Sequence, residues 1–167
     1  MYDELTEVDI RKMQEEIDYR KQELRPKLGA ELKAARALGD LSENFEYHAA
    51  RREVNRNNSR IRYLEQMIKT AKVITDTSTA ETVGLFDRVT VFMENLQQEK
   101  VFVLTTTLRQ DALNGYLSKE SPLGAALMGR QVGDRISVRV NEKFSYFVRI
   151  RSIEKGEDDE SLAISSY

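Results

Sequence analysis

A chain of 167 residues has room for one ordinary domain or two small ones, and 32% charged against 40% hydrophobic residues suits a long solvated helical part better than one large core. The formal net charge is only -2, so the molecule as a whole is no electrostatic magnet for nucleic acid, and any basic face must be local. The lack of cysteine excludes a disulfide scaffold and thiolate metal sites, and a lone histidine, His48, excludes a histidine cluster within one chain.

The opening residues MYDELTEVDI are acidic and lack the apolar centre of a signal peptide, and no apolar run is long enough to span a bilayer. A cytoplasmic location with no membrane partner is the expectation. Thr6-Glu-Val-Asp9 then reads as a capping box. Behind it, apolar residues recur at Ile10, Met13, Ile17, Leu24, Leu28, Leu32, Ala35 and Leu38, the spacing of a helix. Pro26 should bend that helix locally, because it removes a donor and crowds the preceding turn. A second helix follows, with a heptad seam at Tyr47, Ala50, Val54, Asn57, Ile61, Leu64, Ile68 and Ala71; Asn57 is its polar interruption.

With a turn centred near Leu41, the two stripes fold onto each other as an antiparallel hairpin. Ala35 then meets Tyr47, Leu32 meets Ala50, Leu28 meets Val54 and Ile17 falls near Leu64, while Leu24 approaches Asn57. Helices of about 30 residues at about 1.5 Å rise make a rod of roughly 45 Å, too long to be buried in a chain of this size.

The turn reads GDLSENFE, residues 39–46, and gathers the carboxylates of Asp40, Glu43 and Glu46. One reading is a second capping box, with Asp40 as the cap of the second helix and Glu43 at its third position. The other is a partial site for a divalent metal, since magnesium often takes one or two protein carboxylates and completes its shell with water and phosphate. Two acids on a turn are too few for a resident ion. They suit sharing a metal with another macromolecule's active site, and no cofactor is expected in isolation.

Behind the turn, Arg51, Arg52, Arg56, Arg60 and Arg62 form a basic cluster, joined by Arg36. A solvated, acid-paired face is the reading for Arg60 and Arg62; for Arg51 and Arg52 a phosphate contact stands beside it. Phe45 and Tyr47 can stack on a base, although Tyr47 also belongs to the seam and Phe45 lies off it. His48 is either a proton shuttle or an incidental surface residue.

The polar stretch TDTSTAETV, Thr75–Val83, marks a change of grammar. The expected organisation is a coiled-coil domain over 1–76 with its acidic tip near 39–44, a linker over 77–82, and a second domain over 83–167. The whole is of the α+β class, with a long antiparallel coiled-coil hairpin followed by an antiparallel sheet domain with a short helix. Strands are expected at Arg88–Met93, Val101–Thr107, Arg135–Val140 and Ser145–Ile153. Ser121-Pro-Leu-Gly-Ala-Ala-Leu-Met-Gly129 reads as a short helix with Ser121 as N-cap, Pro122 first and Gly129 as the stop. Gly133-Asp134 is a turn, and the acidic end EKGEDDESLAISSY is expected to be loosely ordered.

Taken together, GDLSENFEYHAAR closely resembles the tip signature of the bacterial Gre transcript-cleavage factors, GreA and GreB. Arg25-Pro26 and Ala34-x-Arg36 are similar to that family's first helix, and SPLGAALMGRQVGD, residues 121–134, resembles the signature of its FKBP-like C-terminal domain. The resemblance covers most of the chain. It implies a monomeric accessory factor, not an enzyme in its own right, whose coiled coil enters the secondary channel of bacterial RNA polymerase while the second domain docks at the channel's rim. It also implies that Asp40 and Glu43 assist the polymerase's own magnesium-dependent cleavage of the backtracked RNA 3′ segment. Ser42, Asn44 and Phe45 would support the tip, and Arg36, Arg51 and Arg52 would lie near the RNA.

The sequence departs from the family's pattern at Phe45, where a small alanine is usual, across Val103–Asp111, and in the acidic tail. These departures imply a second possibility, a relative that occupies the channel and inhibits or regulates without stimulating cleavage. A coiled-coil adaptor with no polymerase role is a third.

Overall fold

The computed structural model describes residues 3–39, 43–158 and 160–166. Its contacts separate two units, residues 10–71 and a second unit formed by residues 3–9 with the chain from Lys72 onward.

The first unit is a helical hairpin. Helix α1 (Glu7–Tyr19) enters it, α2 (Arg25–Arg36) completes the first arm, and α3 (Phe45–Thr70) is the second. Met13, Ile17, Leu28, Ala35, Tyr47, Ile61 and Leu64 are buried, so the apolar stripes meet as their spacing requires. Leu38 does not join them: α2 ends at Arg36, and Leu38 in the following turn is 66% exposed.

The first arm contains a π turn over Arg20–Leu24, which ends two residues before Pro26. The wider turn lets Arg25 donate to the carbonyl of Arg20, so the chain reaches Pro26 with its hydrogen bonding rearranged ahead of the missing donor. The extra residue also moves the register. Asn57 meets Arg20: the Arg20 Nη1 donates to Asn57 Oδ1 at 3.0 Å, and Asn57 Nδ2 donates to the Arg20 carbonyl at 3.3 Å. A turn further down, Arg60 donates to both oxygens of Glu16, at 2.9 and 3.2 Å, and Arg20 donates to Glu16 at 2.8 Å. Arg60 is therefore buried against the other arm and is not part of a solvated face.

The second unit holds two sheets. Strands β1 (Glu4–Leu5) and β2 (Lys72–Val73) pair in parallel. A five-stranded mixed sheet contains β3 (Arg88–Met93), β4 (Gln98–Thr105), β5 (Tyr116–Ser118), β6 (Arg135–Arg139) and β7 (Ser145–Glu154), in the order β5-β4-β3-β7-β6. Only the β4–β5 pair of this sheet is parallel. The fold is α+β. Strand β4 starts earlier than its β-branched run predicts and ends at Thr105, where Thr107–Arg109 tightens into a 3-10 turn. The short strands β1, β2 and β5 have too few residues for a period to register.

Val89, Val91 and Met93 of β3 alternate inward with Ile136, Val138, Val148 and Ile150, and helix α4 (Pro122–Leu127) adds Leu123 and Leu127 to this core. Its punctuation is as expected: the Ser121 Oγ accepts from Gly124 N at 3.0 Å, Pro122 leads, and Gly129 follows with φ +77°. Gly124 is required by close approach, because a Cβ there would stand 2.0 Å from the Ser118 carbonyl oxygen.

The acidic tail is tied down and not loose. Gly156 N donates to Asp87 Oδ1 at 3.0 Å, Lys155 reaches Asp87 and the Thr82 carbonyl, Asp158 pairs with buried Arg109, and Ser165 N donates to the Leu108 carbonyl at 2.7 Å.

Candidate functional site

The tip of the hairpin is built around Asn44. Its backbone is extended (φ -84°, ψ 94°), and its Oδ1 accepts from Tyr47 N at 2.9 Å, capping α3. Its Nδ2 donates at 2.7 Å to the carbonyl of Ala35 in the last turn of α2. One amide thus serves a free donor at the start of one helix and a carbonyl at the end of the other. A carboxylate cannot do both, having no proton to donate. The capping-box reading of the turn is corrected accordingly: α3 begins at Phe45, its cap is Asn44, and Glu43 precedes the cap and does not occupy the third helical position. Glu43 is exposed. Asp40 and Ser42 lie outside the described residues.

Phe45 opens the helix at 87% exposure. Tyr47 is buried in the seam, with Arg36 of the opposite arm 5.7 Å from its ring centroid and His48 edge-on at 5.4 Å. His48 is half-buried; Arg51 and Arg52 are exposed. Arg56 pairs with Glu53 at 3.1 Å and Arg62 donates to Ser59 at 3.3 Å. Structure thus brings Glu43, Asn44 and Phe45 together at one end of the hairpin, with Arg36 held across its arms by Tyr47.

Glu16 governs the electrostatics lower in the hairpin. Burial works against its charge, but the hydrogen bonds from Arg60 and Arg20 outweigh this and hold its carboxyl below the ordinary value.

The donor set at the tip is of the hard-oxygen kind that suits magnesium, but incomplete. Among the described residues no three of His, Cys, Asp or Glu gather to hold a metal, and Glu43 offers one solvent-facing carboxylate.

A buried cluster in the second unit escaped the sequence reading. Arg109, inside the divergent 103–111 segment, is 1% exposed; its guanidinium meets Asp9 at 2.6 Å, Asp158 at 2.7 Å, and the Phe86 ring at 4.8 Å from the centroid. Thr6 and Asp9 also form the expected capping box, at 3.0 and 3.3 Å. The divergent segment is thus largely interior, with Leu104, Thr105, Thr106, Leu108 and Arg109 all buried. No short-range pattern could signal an arginine pairing across the whole chain.

Among the described residues, no helix is long and apolar enough to cross a membrane. Residues 4–73 match the family described as transcription elongation factor, N-terminal (GreA_GreB_N), and residues 78–155 match transcription elongation factor, GreA/GreB, C-term. The chain is 39% identical over 137 residues to transcription elongation factor GreA of Caldanaerobacter subterraneus, covering 81% of this chain and 87% of that one. It is 40% identical over 128 residues to GreA of Sinorhizobium medicae, covering 75% and 80% respectively. Among solved structures, the GreA factor homolog 1 (Gfh1) protein of Thermus thermophilus aligns with a TM-score of 0.43 and 21% identity, over 93% of this chain and 100% of that one.

Proposed function

This chain belongs to the GreA/GreB family of transcription elongation factors, and on that premise we propose that it places the tip of its hairpin in the secondary channel of RNA polymerase. There it stimulates the polymerase's own cleavage of backtracked RNA. The observation that carries the reading is the division of labour at the tip: Asn44 does the capping, which leaves Glu43 exposed at the turn between two long helices.

In this reading Asp40 and Glu43 lend carboxylate oxygens toward a magnesium ion shared with the polymerase. Magnesium, when bound, stabilises developing charge and activates water. Asn44 fixes the turn, Ser42 supports it, and Arg36, Arg51 and Arg52 face RNA phosphates. The second unit docks at the channel rim. The factor acts as a monomer and performs no cleavage alone, because two carboxylates leave most of an octahedral shell unfilled.

Backtracked elongation complexes carrying end-labelled RNA, incubated with magnesium, test this directly. Faster shortening of the RNA with the wild-type protein, lost in Asp40→Asn/Glu43→Gln, is the expected result. No acceleration, or full activity in the double variant, would overturn it.

A second reading is favoured by Phe45, a large ring 87% exposed beside the acids. It enlarges the tip and suits a channel occupant that slows nucleotide addition without shortening the transcript. Slower extension with no cleavage products selects this reading. A factor that polymerase does not retain at all would instead leave the adaptor role.

A further inference from the structure

The outward face of the five-stranded sheet is unlike its inward one. In β6 and β7 the buried positions are Ile136, Val138, Val148 and Ile150, so the alternate positions, Arg135, Arg139, Phe147 and Arg149, turn outward. Register sets them side by side: Arg135 pairs with Arg149, and Arg149 pairs with Phe92 on β3. Phe147 keeps 40% of its surface in solvent and neighbouring Phe144 keeps 51%, although the core is complete without them.

We propose that this face, built from β3, β6 and β7, is a docking surface for single-stranded nucleic acid. The inference does not rest on the role proposed for the hairpin.

Two arginine–phenylalanine stacks define the surface. The Arg135 guanidinium lies 3.8 Å from the Phe147 ring centroid, and that of Arg151 lies 5.1 Å from Phe92. Nucleobases stack on arginine guanidinium planes as they do on aromatic rings. Glu94 sets the spacing. It accepts from Arg135 through both oxygens, each at 2.9 Å, and from Arg149 at 3.2 Å, so the two cations are positioned before any ligand arrives.

Charge complementarity names the occupant. Five arginines, Arg88, Arg135, Arg139, Arg149 and Arg151, stand against three glutamates; Glu154 pairs with Arg88 at 3.9 Å, Glu99 with Arg151 at 3.8 Å and Glu94 with Arg135 and Arg149, which leaves the face two positive charges in excess. That local excess stands out in a chain whose net charge is -2. A polyanion alone would need only the cations. The part-exposed rings of Phe147 and Phe144 beside these arginines favour a ligand with π faces between its phosphates, which is a single strand and not a duplex or an acidic peptide.

The test is fluorescence anisotropy of a short labelled single-stranded RNA with the full chain, titrated over a range of salt. Binding should weaken as salt rises, and Arg139→Gln and Arg149→Gln should each reduce the slope of log K against log salt by about 0.7. Phe147→Leu should weaken binding about fivefold to a hundredfold on a base-bearing strand, and leave an abasic strand unaffected. Lys27→Gln/Lys33→Gln, exposed cations on the hairpin, should bind like the wild type. Thermal unfolding by circular dichroism confirms that each variant is folded; Arg139, exposed on its strand, is the safest. The proposal is overturned by absent binding at low salt, by equal loss on the abasic strand, by loss confined to the hairpin variant, or by polyglutamate binding in place of RNA. None of these outcomes bears on transcript cleavage, which reads the hairpin tip.

Discussion

The buried guanidinium of Arg109 and the partly exposed carboxylate of Asp158, 49 residues apart in sequence, meet in an ion pair with Nη2 to Oδ2 at 2.7 Å. Asp158 lies beyond residue 155, where the match to the family's C-terminal domain ends, and Arg109 lies in the segment that departs from the family's pattern. Two departures thus answer each other. Asp9 and Thr6 complete the cluster, so the N-terminal segment and the tail are held on one side chain within the second unit.

Removing either end of this pair should destabilise the second unit by different amounts. Arg109→Met leaves Asp9 buried without its counter-charge and should cost about 3–5 kcal/mol. Asp158→Asn loses charge-assisted hydrogen bonds at a position closer to solvent and should cost about 1.5–3 kcal/mol. Arg109→Lys should not restore stability, because an ammonium cannot reproduce the forked geometry. Urea unfolding of the full chain measures all three, and unchanged midpoints would refute the assignment.

Acid should loosen the hairpin through Glu16. Its folded pKa lies below the ordinary value of 4.5, so its contribution is fully present above that value and is lost as pH falls through the folded pKa. Helicity followed by circular dichroism from pH 6 downward should therefore fall further in the wild type than in Glu16→Gln, which starts less stable. In the sheet, the hydrogen bond from Arg135, with that from Arg149, outweighs burial and holds the Glu94 carboxyl down to about 2. Carboxyl NMR should show that midpoint rising toward 4.5 in Arg135→Gln.

Asn44 separates capping from cross-linking of the arms. Asn44→Ala should cost about 1 kcal/mol for the cap and more for the lost link to the Ala35 carbonyl, which keeps its bond from Leu38 N at 3.2 Å. Asn44→Asp keeps an acceptor for Tyr47 N but cannot donate to Ala35, so it should fall between the two. Amide exchange at Tyr47 and His48 reports the difference. Equal exchange in all three proteins would show that the tip is held by something else.

Phe45→Ala should leave stability within about 0.5 kcal/mol, since the ring is 87% exposed and packs little. Its effect should appear only with polymerase. If the ring blocks the channel, the alanine variant will relieve slowed nucleotide addition; if it supports cleavage, the variant will shorten backtracked RNA more slowly. Identical behaviour in both assays would remove Phe45 from any functional role.

Much of this was legible beforehand because it is local. The seam from Met13 to Leu64, the alternation in β3, β6 and β7, and the Ser121–Pro122–Gly129 punctuation each depend on residues within a few positions of one another. The tip motif was equally legible, yet the choice of cap was not. Asp40 and Asn44 are both good caps by type, and the Ala35 carbonyl decides for the residue that can also donate.

By itself, then, the sequence determined the two helical arms and the longer strands β3, β4, β6 and β7, since backbone periodicity and capping act over short range. Only the tertiary structure decided that Arg20 would answer Asn57 through a π turn, that Arg109 would bury itself between Asp9 and Asp158, and that arginines would stack on Phe92 and Phe147. Each of these joins residues far apart in the chain, and a charge goes where packing brings a counter-charge or a ring close enough to repay its lost water.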